Sequence, residues 1–278
     1  MLALVFVSLS TDFGAASTAT CAGVVHSLAP GATVLVLSDE ITKYQIVEGA
    51  MLLRRALPYL PVGVHVGIVD PGVGTPRRPI AVETARGDVL VGPDNGLLVP
   101  VCEPLGGIEA VYRLDNPDYR LPGVSSTFHG RDIFAPAAAH IALGVELRSL
   151  GAEVPPGELV RLDIPEPRVT PGELVVPVLY IDEFGSLILG GERGHLDEAF
   201  GLGDEYGARL EVGWTDDSGE TRTVTMPFQH TFGAVPRGHL LCYEDSSGWL
   251  GLAVNQGSAT AELGLRPGDM VTVRESRG

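Results

Sequence analysis

Short apolar runs alternate with helix-like segments in the first half of the chain. The β-branched runs predict strands at residues 4–9, 34–37, 64–69, 80–82 and 89–91. Apolar spacing typical of a helix covers residues 46–57, and a second helix is predicted at 133–143, with Asp132 as its N-cap and Gly144 closing it. This alternation favours a mostly parallel sheet with helices on both faces, whose functional residues lie at the carboxyl ends of the strands.

The second half of the chain has a different pattern of predicted elements. A proline-rich, charged stretch at 153–173 indicates a boundary between two domains. Beyond it, short strands are predicted at 174–181, 210–214, 221–226, 239–243, 249–254 and 270–274, with turns at 216–219 and 247–248. We therefore predict an α/β amino-terminal domain with a mostly parallel sheet (residues 1–165), followed by a smaller all-β, barrel-like carboxyl-terminal domain (residues 166–278).

Composition and charge narrow the function classes. The chain has 278 residues, 45% of them hydrophobic, and a net charge of −16 from 19 basic and 35 acidic side chains. So acidic a surface, without a basic cluster, argues against nucleic acid as a partner. The sequence has no apolar run of about 18 residues, as a membrane span would need, and no signal-peptide pattern. The three cysteines lie far apart, in neither a zinc nor a disulfide pattern, so we expect a cytoplasmic protein.

The familiar short catalytic motifs are absent from the sequence. It has no G-x-G-x-x-G after a strand, no G-x-x-x-x-G-K-[ST], no H-E-x-x-H and no G-x-S-x-G. Dinucleotide-dependent, nucleotide-hydrolysing, zinc-protease and α/β-hydrolase interpretations therefore lose their main support.

Polar residues instead stand where predicted strands end. Asp12 follows the first strand, Asp70 the third, and Asn95 lies in the turn after the fifth. Arg77 comes seven residues after Asp70, and His129 lies in a loop beside a glycine, just before the second helix. Loops leaving one edge of a parallel sheet converge, so we expect these side chains to line a single crevice.

Each of these residues also has a plain structural interpretation. Asp70 is as readily an Asx-turn residue, and Asp132 is better explained as a helix cap paired with Arg131. His65 and His140 lie in apolar surroundings typical of core or surface histidines with structural partners. His129 differs, because its loop position lets the side chain face a ligand.

Taken together and in order, the segments 10–14, 69–80, 91–98 and 127–136 resemble those of the S-adenosyl-L-methionine (SAM) hydroxide adenosyltransferase family. These SAM hydrolases are related to the SAM-dependent fluorinases and chlorinases. The resemblance continues through 181–185, 246–250 and 253–255, so it runs nearly end to end.

The resemblance implies a homotrimer with active sites between subunits, which cleaves SAM with water to adenosine and L-methionine and uses no metal or cofactor. The family's water-activating set matches Asp70, Arg77 and His129, and its ribose-binding acid matches Asp12. The other substrate-binding positions that it implies are Asn95, Phe128, Asp182, Phe184, Ser186, Ser246 and Gln256.

The residue types suit this chemistry. Attack at the ribose C5′ expels a neutral thioether from a sulfonium, so the leaving group needs no acid, and water is the difficult reactant. Arg77 supplies a positive charge that it cannot lose, and this charge favours hydroxide-like character in the attacking water. His129 is expected either to accept or to orient the proton of the water.

The sequence departs from the family at the substrate-facing positions. The loop after Gly14 is shorter than in relatives, and no acid occurs between Asp12 and Asp39, where relatives have one on the methionine side. Ser186 replaces an asparagine that contacts adenine in relatives. The first interpretation is hydrolysis of SAM or of a close adenosyl sulfonium, and the second is an adenosine- or SAM-binding protein without activity. A halogenase is disfavoured, because Gly130 stands where halogenases have a halide-binding serine.

Overall fold

The chain folds into two compact units, Met1–Leu162 and Asp163–Gly278. The computed structural model describes residues 5–203 and 205–276. The sequence placed the division between residues 165 and 166, within the proline-rich stretch. No helix in these two ranges is both long and apolar enough to cross a membrane.

The first unit is built on a six-stranded, mostly parallel sheet, as predicted. Its order is β2-β1-β3-β5-β4-β6, and only β4 runs against its neighbours. The strands are β1 (Phe6–Thr11), β2 (Thr33–Ser38), β3 (Val64–Ile68), β4 (Pro79–Thr84), β5 (Val89–Pro93) and β6 (Ile108–Arg113).

Helices cover both faces of this sheet. Their bounds are α1 (Ala15–Leu28), α2 (Ile46–Ala56), α3 (Val99–Cys102) and α4 (Ala135–Ala142), with single 3₁₀ turns at Leu57–Tyr59, Glu103–Leu105, Pro117–Tyr119, Leu147–Ser149 and Pro156–Glu158. α1 and α4 share one apolar core with β1 and β3. α2 packs closely on the opposite face, where a Cβ on Gly67 would lie 2.7 Å from Leu53 Cδ1.

The apolar runs located the first five strands, but the sequence analysis missed α1 and β6. α1 is rich in Ala, Thr, Ser and Gly, so its sequence shows little contrast between a buried and an exposed face. Leu4, the predicted start of the first strand, lies outside the described residues. The helix predicted from Ile133 is preceded by a π-helical turn at Gly130–Phe134.

A polar network built on the buried residues Ser8, His65 and Asp88 lies at the amino end of the sheet. His65 is hydrogen-bonded through Nδ1 to Ser8 Oγ (2.8 Å) and through Nε2 to Asp88 Oδ1 (3.1 Å). Arg86 donates to both oxygens of Asp88 and to the carbonyl of Leu57 at the end of α2. The network therefore ties α2, β1, β3 and β5 together, and His65 is a core histidine as predicted.

The second unit is an antiparallel, barrel-like sheet, again as predicted. Its order is β11-β10-β14-β8-β9-β13-β12, with β7 beside β8, and a bridge between Phe228 and Cys242 nearly closes it. The bounds are β7 (Arg168–Thr170), β8 (Glu173–Ile181), β9 (Leu187–Glu192), β10 (Arg209–Thr215), β11 (Thr221–Pro227), β12 (Leu240–Glu244), β13 (Trp249–Val254), β14 (Met270–Glu275), α5 (Arg193–Phe200), α6 (Ala259–Leu263) and a 3₁₀ turn at Phe232–Ala234. The sequence analysis missed β9, whose two glycines weaken the strand pattern.

Candidate active site

The predicted loops meet at the carboxyl edge of the first unit's sheet. The Asp12 backbone N–H donates to the Ile68 carbonyl (3.3 Å), and the Asn95 side chain donates to the Val69 carbonyl (2.8 Å). The rings of Phe13 and Phe128 pack edge to face, with centroids 5.8 Å apart. Segments from four parts of the sequence thus form one surface.

A buried ion pair, Asp70 with Arg77, forms the centre of this surface. Arg77 Nε lies 3.0 Å from each carboxylate oxygen, and Arg77 Nη2 also donates to Oδ2. The two side chains are 6% and 9% exposed. The loop between them needs Gly74, which has φ 77° and whose Cβ would lie 2.4 Å from the Ser126 carbonyl oxygen. Asp70 is therefore far more than a turn residue, because its carboxylate fixes the guanidinium.

Arg77 also reaches the third member of the predicted set. Its Nη2 donates to His129 Nδ1 at 2.8 Å, and its Cζ lies 5.3 Å from the centre of the Phe134 ring. Its Nη1 is buried and has no hydrogen-bond partner among the described residues. A buried N–H of this kind is costly unless something receives it, so the guanidinium is built to hold a further acceptor.

The π-helical turn aims His129. It begins at Gly130, and the N–H of Ala135 bonds to the Gly130 carbonyl five residues back. Such turns are frequent at functional sites. Burial, followed by the positive charge of Arg77, lowers the pKa of His129 below its usual value. Burial and Arg77 therefore favour the neutral imidazole over the imidazolium.

Asp132 corrects one expectation. It lies inside the π-helical turn and caps no helix, because the turn begins before it. Its buried carboxylate accepts from Arg131 Nε (2.6 Å) and from the Ser125 backbone N–H (2.8 Å). The predicted pairing with Arg131 is present, and the N-cap role is wrong.

Asp12 is held by a residue that the sequence analysis missed. The backbone N–H of Tyr44 donates to Asp12 Oδ2 at 2.9 Å. Tyr44 has φ 68°, an unusual conformation for a residue with a side chain, and its ring is 69% exposed. Nothing in the local sequence signals this conformation.

The Asn95 side chain is hydrogen-bonded to the backbone on both its amide nitrogen and its oxygen. Besides donating to Val69, it accepts through Oδ1 from the Leu97 N–H at 3.2 Å. The neighbouring Asp94, 5% exposed, pairs with Arg78. This turn is therefore fixed both by its own backbone and by neighbouring segments, and a substrate contact by Asn95 stays a prediction.

Four of the predicted substrate-binding residues gather at one end of the second unit. Asp182 Oδ1 accepts the N–H groups of Phe184 (2.9 Å) and Ser186 (2.8 Å). Phe184 is 79% exposed, whereas Ser186 is buried and bonds to the phenol of Tyr243. Gln256, with φ 55°, lies in the segment whose Thr260 N–H donates to the Gly185 carbonyl at this turn.

Ser246 stands apart from these four residues. It lies in the turn before β13, whereas Gln256 follows that strand. A strand of six residues separates the two turns by about 20 Å. Ser246 and Gln256 therefore lie at opposite ends of β13.

Gly130 is closely surrounded by side chains. A Cβ there would lie 3.3 Å from Ile68 Cδ1 and Phe13 Cζ and 3.4 Å from Cys21 Sγ. A serine at this position would have to displace these neighbours. The surroundings are apolar, and within the described ranges no group of three or more His, Cys, Asp or Glu is arranged to hold a metal ion.

Comparison with known proteins gives matches along both units. Residues 7–151 match the model of the SAM hydroxide adenosyltransferase N-terminal domain, and residues 176–272 match that of its C-terminal domain. A curated (R)-S-adenosyl-L-methionine hydrolase of Salinispora arenicola is 41% identical over 272 residues, which cover 96% of this chain and 97% of that protein. A fluorinase of Actinoplanes sp. is 28% identical over 298 residues, covering 97% of each.

A solved structure has a similar fold. An uncharacterized conserved protein from Thermotoga maritima superposes with a TM-score of 0.86 at 27% identity, covering 97% of this chain and all of that one. The similarity therefore extends over the whole chain.

Proposed function

Because the chain belongs to the SAM hydroxide adenosyltransferase family, we propose that it hydrolyses S-adenosyl-L-methionine at the ribose C5′, giving adenosine and L-methionine. One observation supports this above all. Arg77 is fixed by Asp70, contacts His129, and keeps one buried N–H without a partner in the described part of the chain. That N–H is suited to hold the oxygen of the nucleophile.

The reaction needs a nucleophile stronger than neutral water. The guanidinium of Arg77 is a fixed positive charge, and it favours the ionised form of a bound water. Asp70 holds the guanidinium in one orientation, and His129 Nδ1 accepts from its Nη2. The electron pair of the C5′–S bond leaves on sulfur as the neutral thioether of methionine, which needs no proton. No metal or cofactor takes part, as the family resemblance implies.

Substrate binding is proposed to begin with the ribose. Asp12 accepts from ribose hydroxyls through Oδ1, while the Tyr44 backbone N–H donates to Oδ2. Phe128 supplies an apolar wall and Asn95 shapes the neighbouring loop. We assign the remaining nucleoside and methionine contacts to Asp182, Phe184, Ser186, Ser246 and Gln256, as the resemblance implies.

The alternatives are a binding protein and a halogenase. A protein that only binds adenosine or SAM has little use for a buried carboxylate–guanidinium–imidazole chain, so this chain favours the enzyme. Halide transfer is disfavoured because Gly130 offers no hydroxyl.

The test is incubation of the pure protein with SAM in halide-free buffer, with adenosine and methionine measured by chromatography. We expect the two products in equal amounts. Binding of SAM without any product would contradict the hydrolase and support the binding protein. A 5′-halogenated nucleoside, formed when chloride is added, would support the halogenase.

We further propose that the protein is a cytoplasmic homotrimer with active sites between subunits. The edge strand β2 supports assembly, since Leu35 and Val36 are exposed on an uncharged strand of the type that proteins usually cover. The three cysteines are buried and free, which suits a reducing compartment. Light scattering coupled to size exclusion should give three times the 29.3 kDa chain mass, and Val36→Lys should lower the measured mass. A wild-type mass of one chain would contradict the trimer.

A further inference from the structure

The contact between Arg77 and His129 determines where the imidazole carries its proton. A guanidinium has only N–H donors, so in the 2.8 Å contact Arg77 Nη2 donates and His129 Nδ1 accepts. An accepting Nδ1 has no hydrogen. The neutral ring therefore carries its one proton on Nε2, and that N–H is the group left to meet a ligand.

The charges around the ring oppose a second proton. His129 faces two cations, Arg77 and Arg120, and two acids, Asp70 and Asp132. Asp70 is engaged by Arg77 through three contacts, and Asp132 is engaged by Arg131. The carboxylates are thus largely neutralised, while burial and the arginines remain to disfavour an imidazolium.

Arg120 is held in place by the backbone. Its Nε donates to the Leu114 carbonyl at 3.0 Å, and its Nη2 donates to the same oxygen. The next residue, Leu121, donates its N–H to the Asp132 carbonyl (3.0 Å), which fixes this loop against the π-helical turn. The second cation is therefore a built part of the surroundings of His129.

We propose that His129 serves the reaction as a hydrogen-bond donor through Nε2, and that it does not take the proton of the attacking water. This inference rests on the proposed hydrolysis of SAM and assigns one role within it. To act as a base, the ring would have to accept at Nδ1, where Arg77 already donates.

The chemistry balances without a protein base. Arg77 Nη1 is the N–H proposed for the oxygen of the water, and the fixed charge of the guanidinium stabilises hydroxide over water, while His129 Nε2 donates on the far side of the ring. The bound water gives its proton to solvent, and the hydroxide attacks C5′. The C5′–O bond forms, the C5′–S bond breaks, and the sulfur keeps the electron pair. The sum is water plus SAM giving adenosine, methionine and one released proton.

The first test compares two substitutions of similar size. His129→Gln places an amide N–H near the position of Nε2, whereas His129→Leu places no polar atom there. A glutamine cannot act as a base, so activity in this variant must come from donation. We expect His129→Gln to keep kcat/KM for SAM within about tenfold of the wild type, and His129→Leu to lose about 10²–10³-fold. Equal loss in the two variants, with both folded by circular dichroism, would overturn the proposal.

The second test needs no variant to be active. In protein labelled with ¹⁵N-histidine, the ring resonances of His129 are identified by their absence in His129→Gln. We expect Nε2 protonated and Nδ1 unprotonated at pH 7. A proton on Nδ1, or an imidazolium, would overturn the proposal. If the wild type released no adenosine, the proposed function would fail, and this measurement would still decide the protonation of His129.

Discussion

Arg77→Gln is expected to lower kcat/KM for SAM by about 10³-fold. Arg77 is the one residue of the site that contacts both Asp70 and His129, and it alone has the buried N–H proposed for the nucleophile. Its removal therefore takes away the fixed charge, a donor to the water and the group that orients the imidazole. The measurement is adenosine release under conditions where KM and kcat are resolved, and we expect the loss mainly in kcat.

Arg77→Lys separates charge from geometry. A lysine keeps the charge but is a single-point donor, so it cannot bridge a carboxylate and an imidazole as the planar guanidinium does. We expect a loss of about 10²-fold for this variant. Arg148→Gln is the matched control, because Arg148 is 76% exposed and pairs only at the surface with Glu146. Activity of Arg77→Gln within tenfold of the wild type would exclude Arg77 from the reaction.

Asp88→Ala is expected to destabilise the first unit by about 3–5 kcal/mol. Asp88 is fully buried and receives hydrogen bonds from His65 and Arg86, so its removal leaves the partly buried guanidinium of Arg86 without its counter-charge and the buried His65 without its partner at Nε2. For a unit of this size we expect the melting temperature to fall by roughly 10 °C, measured by circular dichroism. The control is Glu109→Gln, an exposed acid on β6, which should change it little. A fall below about 2 °C for Asp88→Ala would contradict this account of the network.

The pH dependence of this stabilisation has a definite sign. Burial alone would raise the pKa of Asp88, but the hydrogen bonds from His65 and Arg86 outweigh it and hold the pKa well below its usual range. A carboxyl with a depressed native pKa stabilises the fold above its unfolded pKa, about 3.9, and loses that contribution as the pH falls through the native value. The difference in unfolding free energy between wild type and Asp88→Ala should therefore be full at pH 6 and smaller below about pH 4.

The sequence predicted the parts of the fold that depend on buried apolar runs. β1, β3 and β5 are such runs, and the polar residues that follow them meet at one edge because parallel strands end together. α1 was missed because its residues show no apolar stripe, and β4 with β5 forms a hairpin where a crossover was expected. The local sequence pattern does not predict which strand another strand pairs with. It also does not predict a helix that is stabilised mainly by its neighbours in the fold.

The sequence identified the residues of the candidate site, but it did not predict the contacts that they make. Asp70, Arg77 and His129 stand out by their positions after strands and by the family resemblance. That Arg77 donates to Nδ1 follows only from the packed geometry, and so does the left-handed conformation of Tyr44 beside Asp12. Asp132 looked like a cap because it precedes an apolar helix, and only the π-helical turn shows otherwise.

Because of that turn, the number of residues between Gly130 and Phe134 affects the orientation of His129. A π-helical turn amounts to one residue inserted into a helix, and each residue of an α-helix advances the chain by about 100° around the axis. Removing one residue between Gly130 and Phe134 would restore a regular helix and swing everything before it, His129 included, by about that angle. The orientation of His129 therefore depends on the number of residues in this turn. Substitutions leave that number unchanged, so only a deletion or an insertion would reveal the dependence.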